Sequence, residues 1–124
     1  MATVLIVDDN EDICRVLARL VRASGHAADI VLGGQEAIDY CASHQPDMLI
    51  LDVMMPRVDG LDVLRAVRNN PRTADVPVIM FTAAGECQLR EAALRQGATG
   101  YWIKGSLDLC QLNDQLSTYL SRPN

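Results

Sequence analysis

The chain has 124 residues, 49% hydrophobic and 22% charged, with Asp+Glu 16 against Lys+Arg 11 and a formal net charge of −5. That length suits one domain around a single apolar core, and the acidic balance, with basic residues scattered rather than in runs, excludes general attraction to DNA, RNA or an anionic membrane. No stretch approaches the roughly 18 consecutive apolar residues of a membrane-spanning helix, and the N-terminal MATVLIVDD lacks the features of a secretory peptide, so a cytoplasmic protein is expected.

The first apolar run, Thr3 to Val7, has strand length and ends in Asp8-Asp9. Ile13, Val16, Leu17, Leu20 and Val21 follow at helical spacing on one face of a helix that Gly25 ends. A second strand, Ala27 to Leu32, leads into Gly33-Gly34. The helix after it, Gln35 to Ser43, has Ala37, Ile38, Cys41 and Ala42 as its apolar face and is stopped by Pro46. The third strand, Met48 to Leu51, runs into Asp52. Asp59-Gly60 then reads as a tight turn starting a helix from Leu61 to Arg68, which buries Leu61, Leu64 and Val67 and closes at Asn69-Asn70-Pro71. The fourth strand, Val78 to Phe81, runs into Thr82. Its helix, Glu86 to Gln96, offers only Leu89, Ala93 and Leu94 before Gly97. The fifth strand, Tyr101 to Ile103, runs into Lys104, and a last helix from Leu107 to Leu120 carries Leu109, Leu112, Leu116 and Leu120 on one stripe.

Strict β-α alternation in one small domain implies an α/β fold, a parallel sheet with helices on both faces. The runs MLIL and VIMF are unbroken apolar, as strands covered on both sides should be. The second run ends without chemical groups, which suits an outer strand and the flavodoxin-like order 2-1-3-4-5. Residues 1–121 are taken as one domain and 122–124 as a tail or the start of a linker. Cys14, Cys41, Cys87 and Cys110 are far apart, with neither a C-x-x-C pair nor zinc-site spacing, and are expected to be reduced, buried thiols. His26 and His44 are expected to be solvated.

In a parallel sheet the strand C-termini share one edge, so Asp8, Asp9, Asp52, Thr82 and Lys104 should meet there. Three carboxylates in one place repel each other, and burying them without compensation costs stability. Lys104 supplies one positive charge, and a hard divalent ion on oxygen ligands, best matched by Mg²⁺, would supply the rest. A carboxylate beside such an ion can attack phosphorus and form an acyl phosphate, with a hydroxyl and a lysine on the phosphoryl oxygens. Taken singly, each residue has a plainer reading: Asp9 as a cap of the first helix, Asp52 and Thr82 as strand-end residues, Lys104 as a solvated charge, Tyr101 and Trp102 as strand packing.

Together, Leu5-Ile6-Val7-Asp8-Asp9, Asp52-Val53-Met54-Met55-Pro56-Arg57-Val58-Asp59-Gly60, Phe81-Thr82-Ala83 and Tyr101-Trp102-Ile103-Lys104 resemble the receiver domain of two-component response regulators, in order and over essentially the whole chain. The pattern D-x-M-M-P-x-x-D-G is the specific part. The resemblance implies a phosphoacceptor switch rather than an enzyme, with the flavodoxin-like (βα)5 three-layer fold. Asp52 would accept a phosphoryl group from a sensor histidine kinase, a histidine phosphotransfer protein or a small acyl phosphate. It further implies that Asp9, Asp52 and the Met54 backbone carbonyl hold Mg²⁺ directly, and Asp8 through water. Thr82 and Lys104 would contact the phosphoryl oxygens, and Tyr101 would follow Thr82 as the switch aromatic. The fourth helix, fifth strand and fifth helix would form the effector surface of a monomer or weak dimer. The family usually has proline after the lysine, joined by a cis peptide; this chain has Gly105. A cis bond before a non-proline residue costs about 2.5–4 kcal/mol, which favours glycine's broad φ range as the means of turning there.

Three rivals remain. A Mg²⁺-dependent aspartyl phosphatase of the haloacid dehalogenase type needs D-x-D-x-[TV], which Asp8-Asp9-Asn10-Glu11-Asp12 does not supply. A flavodoxin-type electron carrier needs a phosphate loop free of carboxylates. A receiver-fold adaptor that is never phosphorylated would not need the full acidic set.

Overall fold

The computed structural model describes residues 2–53, 55, 57–82, 87–103 and 109–120, with side chains at 82, 87–89, 109–111, 113 and 115 excepted. Five strands, β1 (Thr3–Val7), β2 (Ala27–Val31), β3 (Met48–Asp52), β4 (Val78–Thr82) and β5 (Gly100–Ile103), alternate with helices α1 (Glu11–Ala23), α2 (Gly34–Ser43), α3 (Gly60–Asn69), α4 (Cys87–Arg95) and α5 (Leu109–Leu120). All neighbouring strands are parallel, in the order β2-β1-β3-β4-β5, which is the expected flavodoxin-like arrangement. Among the described residues, no helix is long and apolar enough to cross a membrane.

Alternation along each strand divides the core into two layers. Leu5, Val7, Leu49, Leu51, Val78 and Met80 face Ala37 and Cys41 of α2, Val63, Leu64 and Val67 of α3, and Ala93 of α4. Val4, Ile6, Met48, Ile50, Ile79, Phe81 and Trp102 face Cys14, Leu17, Ala18 and Val21 of α1 and Leu112 and Leu116 of α5. β3 is buried throughout, which is why its sequence reads as an unbroken apolar run.

The expected helix faces need correction in detail. On α1 the buried stripe is Cys14, Leu17, Ala18 and Val21, while Val16 is 57% exposed. The small Cys14 and Ala18 let the helix approach the sheet closely, so the packed face is rotated toward them and away from the bulkier Val16. On α3, Val63 is buried and Leu61 only partly so. On α2, Ala42 is exposed because Ala37 and Cys41, one turn apart, make the contact. Leu94 of α4 is 44% exposed. Leu89, Leu109, Cys87 and Cys110 belong to side chains outside the description. Cys14 and Cys41 are buried, as expected, and burial pushes the Cys41 thiol pKa up.

One arginine ties together the end of the sheet away from the acidic residues. Arg68 donates to the carbonyls of Gly97 (2.9 Å), Ala74 (3.1 Å) and Val76 (2.7 Å), and Thr99 Oγ1 lies 3.4 Å from its Nη2. Burial pulls its guanidinium pKa down, opposed by the Asp75 charge. Arg68→Ala would leave several partly buried carbonyls without a donor. It should lower stability by about 2–3 kcal/mol, read as a shift in urea midpoint, and Arg68→Lys should recover only part because an ammonium lacks the planar fork.

Candidate functional site

The acidic site follows from strand register. Val7 of β1 pairs with Leu51 of β3, so the next residues, Asp8 and Asp52, emerge side by side at the carboxyl edge. Asp8, Asp9 and Asp52 each offer an oxygen, and these lie within 4.8 Å of one another. Asp8 is 1% and Asp52 4% exposed, whereas Asp9 faces solvent. Asp8 is fixed from several sides. Its N–H donates to the Val31 carbonyl (3.3 Å), its Oδ1 accepts from Asn10 N–H (2.9 Å), and its carbonyl accepts from the Cys14 thiol (3.3 Å).

The cap of α1 is Asn10, whose side-chain oxygen accepts from the N–H groups of Asp12 (3.0 Å) and Ile13 (3.2 Å). Capping therefore does not account for Asp9. Asn10 was legible in the sequence as a standard N-cap residue before a helical run, but the acidic residues on both sides hid it.

Asp52 is placed by the loop that follows. Val53 and Met55 turn inward to the core, Arg57 takes a left-handed backbone (φ 68°), and Gly60 N–H donates back to the Val53 carbonyl (3.0 Å). Asp59 starts α3 with a capping box: its carboxylate accepts from Asp62 N–H (3.0 Å), and Asp62 accepts from Asp59 N–H (3.3 Å). The turn expected at Asp59-Gly60 is present, but the glycine has a second role that the sequence did not disclose. A Cβ at Gly60 would collide with the Asp52 carbonyl oxygen and lie 2.7 Å from Val53 Cα. A Cβ at Gly34 would likewise lie 2.9 Å from the Val58 side chain. Val58 thus lies against the start of α2, and the Asp52 peptide rests against Gly60 at the start of α3.

β4 ends at Thr82, whose backbone is paired with Ile103; its side chain, Met54, Lys104 and the Lys104–Gly105 bond lie outside the described residues. Tyr101 and Trp102 face opposite sides of the sheet. Trp102 meets Phe81 edge-on (6.4 Å, 90°), and half-buried Tyr101 has the Arg90 guanidinium 5.4 Å from its ring centroid. His44 is exposed and stacked on Tyr40 (4.6 Å), while His26 is only half-exposed because its Nδ1 accepts from Ala2 N–H (3.2 Å). Neither joins the acidic cluster among the described residues.

Three carboxylates, two of them buried, make an all-oxygen donor set that fits a hard divalent cation and does not suit a soft one. With a cation offsetting the charge, a carboxylate oxygen at the rim of such a site can act as a nucleophile.

Residues 4–116 match the family model described as the response regulator receiver domain. The response regulator MprA of Mycolicibacterium vanbaalenii is 39% identical over 101 residues, a region covering 82% of this chain and 43% of that protein. The chain therefore spans less than half the length of that curated relative. A response regulator receiver protein from Burkholderia phymatum superposes with a TM-score of 0.85 at 33% identity, covering 99% of this chain and 98% of that one. The receiver domain of a sensor histidine kinase from Pseudomonas aeruginosa PAO1, solved with a magnesium ion coordinated in its active-site cleft, gives a TM-score of 0.89 at 25% identity, with 98% of each chain covered.

Proposed function

The chain belongs to the response regulator receiver family, and from that premise we propose that Asp52 is its phosphoacceptor. The observation that carries the assignment is the convergence of Asp8, Asp9 and Asp52 within 4.8 Å at the carboxyl edge, with Asp52 at the very end of a fully buried strand. One Asp52 oxygen attacks the phosphorus of a phosphohistidine on a sensor kinase or phosphotransfer protein. The new O–P bond forms as the N–P bond breaks, and the imidazole leaves with the electron pair and takes up a proton. Hydrolysis later returns phosphate and the free carboxylate.

Receiver domains bind Mg²⁺ at an acidic pocket. Here Asp9, Asp52 and the Met54 carbonyl would hold the ion directly and Asp8 through water, the ion supplying neutralisation of the carboxylate and phosphoryl charge. Lys104 and the Thr82 hydroxyl would take the phosphoryl oxygens, and Tyr101 would respond to the movement of Thr82. That response changes the surface of α4, β5 and α5 that an effector reads. On this reading the domain is a cytoplasmic switch, assisting its own phosphorylation and dephosphorylation without turning over an external substrate.

Incubation with Mg²⁺ and acetyl phosphate, followed by intact mass, should add one phosphoryl group. Beryllofluoride should form the corresponding stable mimic, followed through the single Trp102. Asp9→Ala should weaken Mg²⁺ binding about tenfold or more, the loss of one charged ligand, in a fluorescence titration. Turnover of a free phosphomonoester, lost in Asp52→Asn, would instead establish the phosphatase. Absence of any Asp52-dependent adduct would leave the unphosphorylated adaptor.

A further inference from the structure

Among its described side chains, helix α4 is mostly exposed. Ala93 is buried, but Leu94, Arg90, Glu91 and Arg95 are exposed. Its C-terminal end is fixed: Gly97, at φ +98°, donates to the Leu94 carbonyl (3.2 Å), and its own carbonyl accepts from Arg68 Nε (2.9 Å). Nearer its N-terminus, a cation lies over a ring. The Arg90 guanidinium carbon is 5.4 Å from the centroid of Tyr101, which also packs on the cluster containing Met80 and Ala93. The neighbouring Glu91 pairs with Arg95 (3.5 Å) along the helix. A planar guanidinium at this distance is attracted by the ring quadrupole, and because Tyr101 belongs to β5, the contact ties α4 to the sheet.

We propose that Arg90 is a positioning residue of the switch: it latches Tyr101 in its half-exposed position, and α4 pivots about the end pinned by Arg68 when that latch is released. The proposal rests on the reading of Asp52 as phosphoacceptor and Tyr101 as the responding aromatic, and adds the element that sets how readily they respond. An interaction that favours the resting arrangement lowers the apparent affinity for a phosphoryl mimic, and removing it raises that affinity by the same factor. An exposed cation–π contact corresponds to about two- to fivefold.

The test is a beryllofluoride titration with Mg²⁺ of the full chain, read by backbone amide NMR of β4 and β5 in wild type, Arg90→Ala and Arg90→Lys. In Arg90→Ala the ligand-free resonances should move along the line joining the free and saturated wild-type positions, and the titration midpoint should fall about two- to fivefold. Arg90→Lys, which keeps the cation, should fall between the two. Wild-type positions and midpoint in Arg90→Ala, shifts off that line, or a lysine variant no different from alanine would each overturn the latch. A wild-type protein that forms no adduct would overturn the phosphoacceptor reading and the release step with it. Failure of that reading is thus distinguished from failure of the latch, which requires an adduct that forms with an unaltered midpoint in Arg90→Ala.

Discussion

Asp52→Asn should abolish the adduct with acetyl phosphate altogether while leaving a folded protein that, without metal, is more stable than wild type. The amide keeps the size of the side chain but removes the nucleophile. It also removes one of three carboxylates gathered within 4.8 Å, two of them buried. Like charges at that separation repel by roughly 3 kcal/mol per pair at an effective dielectric of about 20, before relaxation and counter-ions. A net gain on the order of 1–2 kcal/mol in metal-free buffer is the expected remainder. With Mg²⁺ the order should reverse. Saturating ion at 100 times its dissociation constant stabilises wild type by about 2.7 kcal/mol, and most of that gain should be missing from Asp52→Asn. Thermal unfolding with Mg²⁺ and with chelator, in both proteins, gives the four values needed. A wild type unmoved by Mg²⁺, or a variant less stable than wild type in chelator, would contradict the account of the cluster as a charge-strained cation site.

Gly60→Ala should cost about 2–3 kcal/mol and slow adduct formation at Asp52, although it gives a helix its preferred residue. Alanine in place of glycine ordinarily stabilises, through helix propensity and the entropy of the unfolded chain. Here the added methyl would strike the Asp52 carbonyl and the Val53 Cα, both backbone, so the end of β3 or the start of α3 must shift. Because the displaced backbone carries Asp52, stability and phosphorylation rate should fall together. Gly33→Ala is the control: the atoms nearest its methyl are the far end of the Glu36 side chain, which can swing away, and its cost should stay within about 1 kcal/mol. Equal losses in the two variants, by urea denaturation and adduct kinetics, would remove the special status of Gly60.

Much of this was legible along the chain. Strand lengths, helix stops at Gly25 and Gly97, and the placing of Asp8, Asp9 and Asp52 after apolar runs all follow from short-range rules of periodicity and turn chemistry. The receiver motif Asp52-x-Met54-Met55-Pro56-x-x-Asp59-Gly60 was legible as well. Less legible were the features set by contact between distant segments. The spacing of Val16 fits an apolar face, yet Cys14 and Ala18 form the contact because small side chains let α1 settle closer to the sheet. Asp9 and Asn10 are equally good caps by residue type, and the geometry gives the task to Asn10. Arg68, at the end of α3, joins two connections far apart in sequence, the one before β4 and the one before β5.

The sequence by itself determined the β-α alternation, the parallel sheet and the placing of Asp8, Asp9 and Asp52 at its carboxyl edge, because backbone propensity and hydrophobic period act over a few residues. Only the tertiary structure decided that register brings Asp8 beside Asp52, that Gly60 backs against the Asp52 peptide, and that Arg90 reaches Tyr101. Those are close approaches between separate elements, fixed by packing volume and sheet register, and no local pattern encodes them.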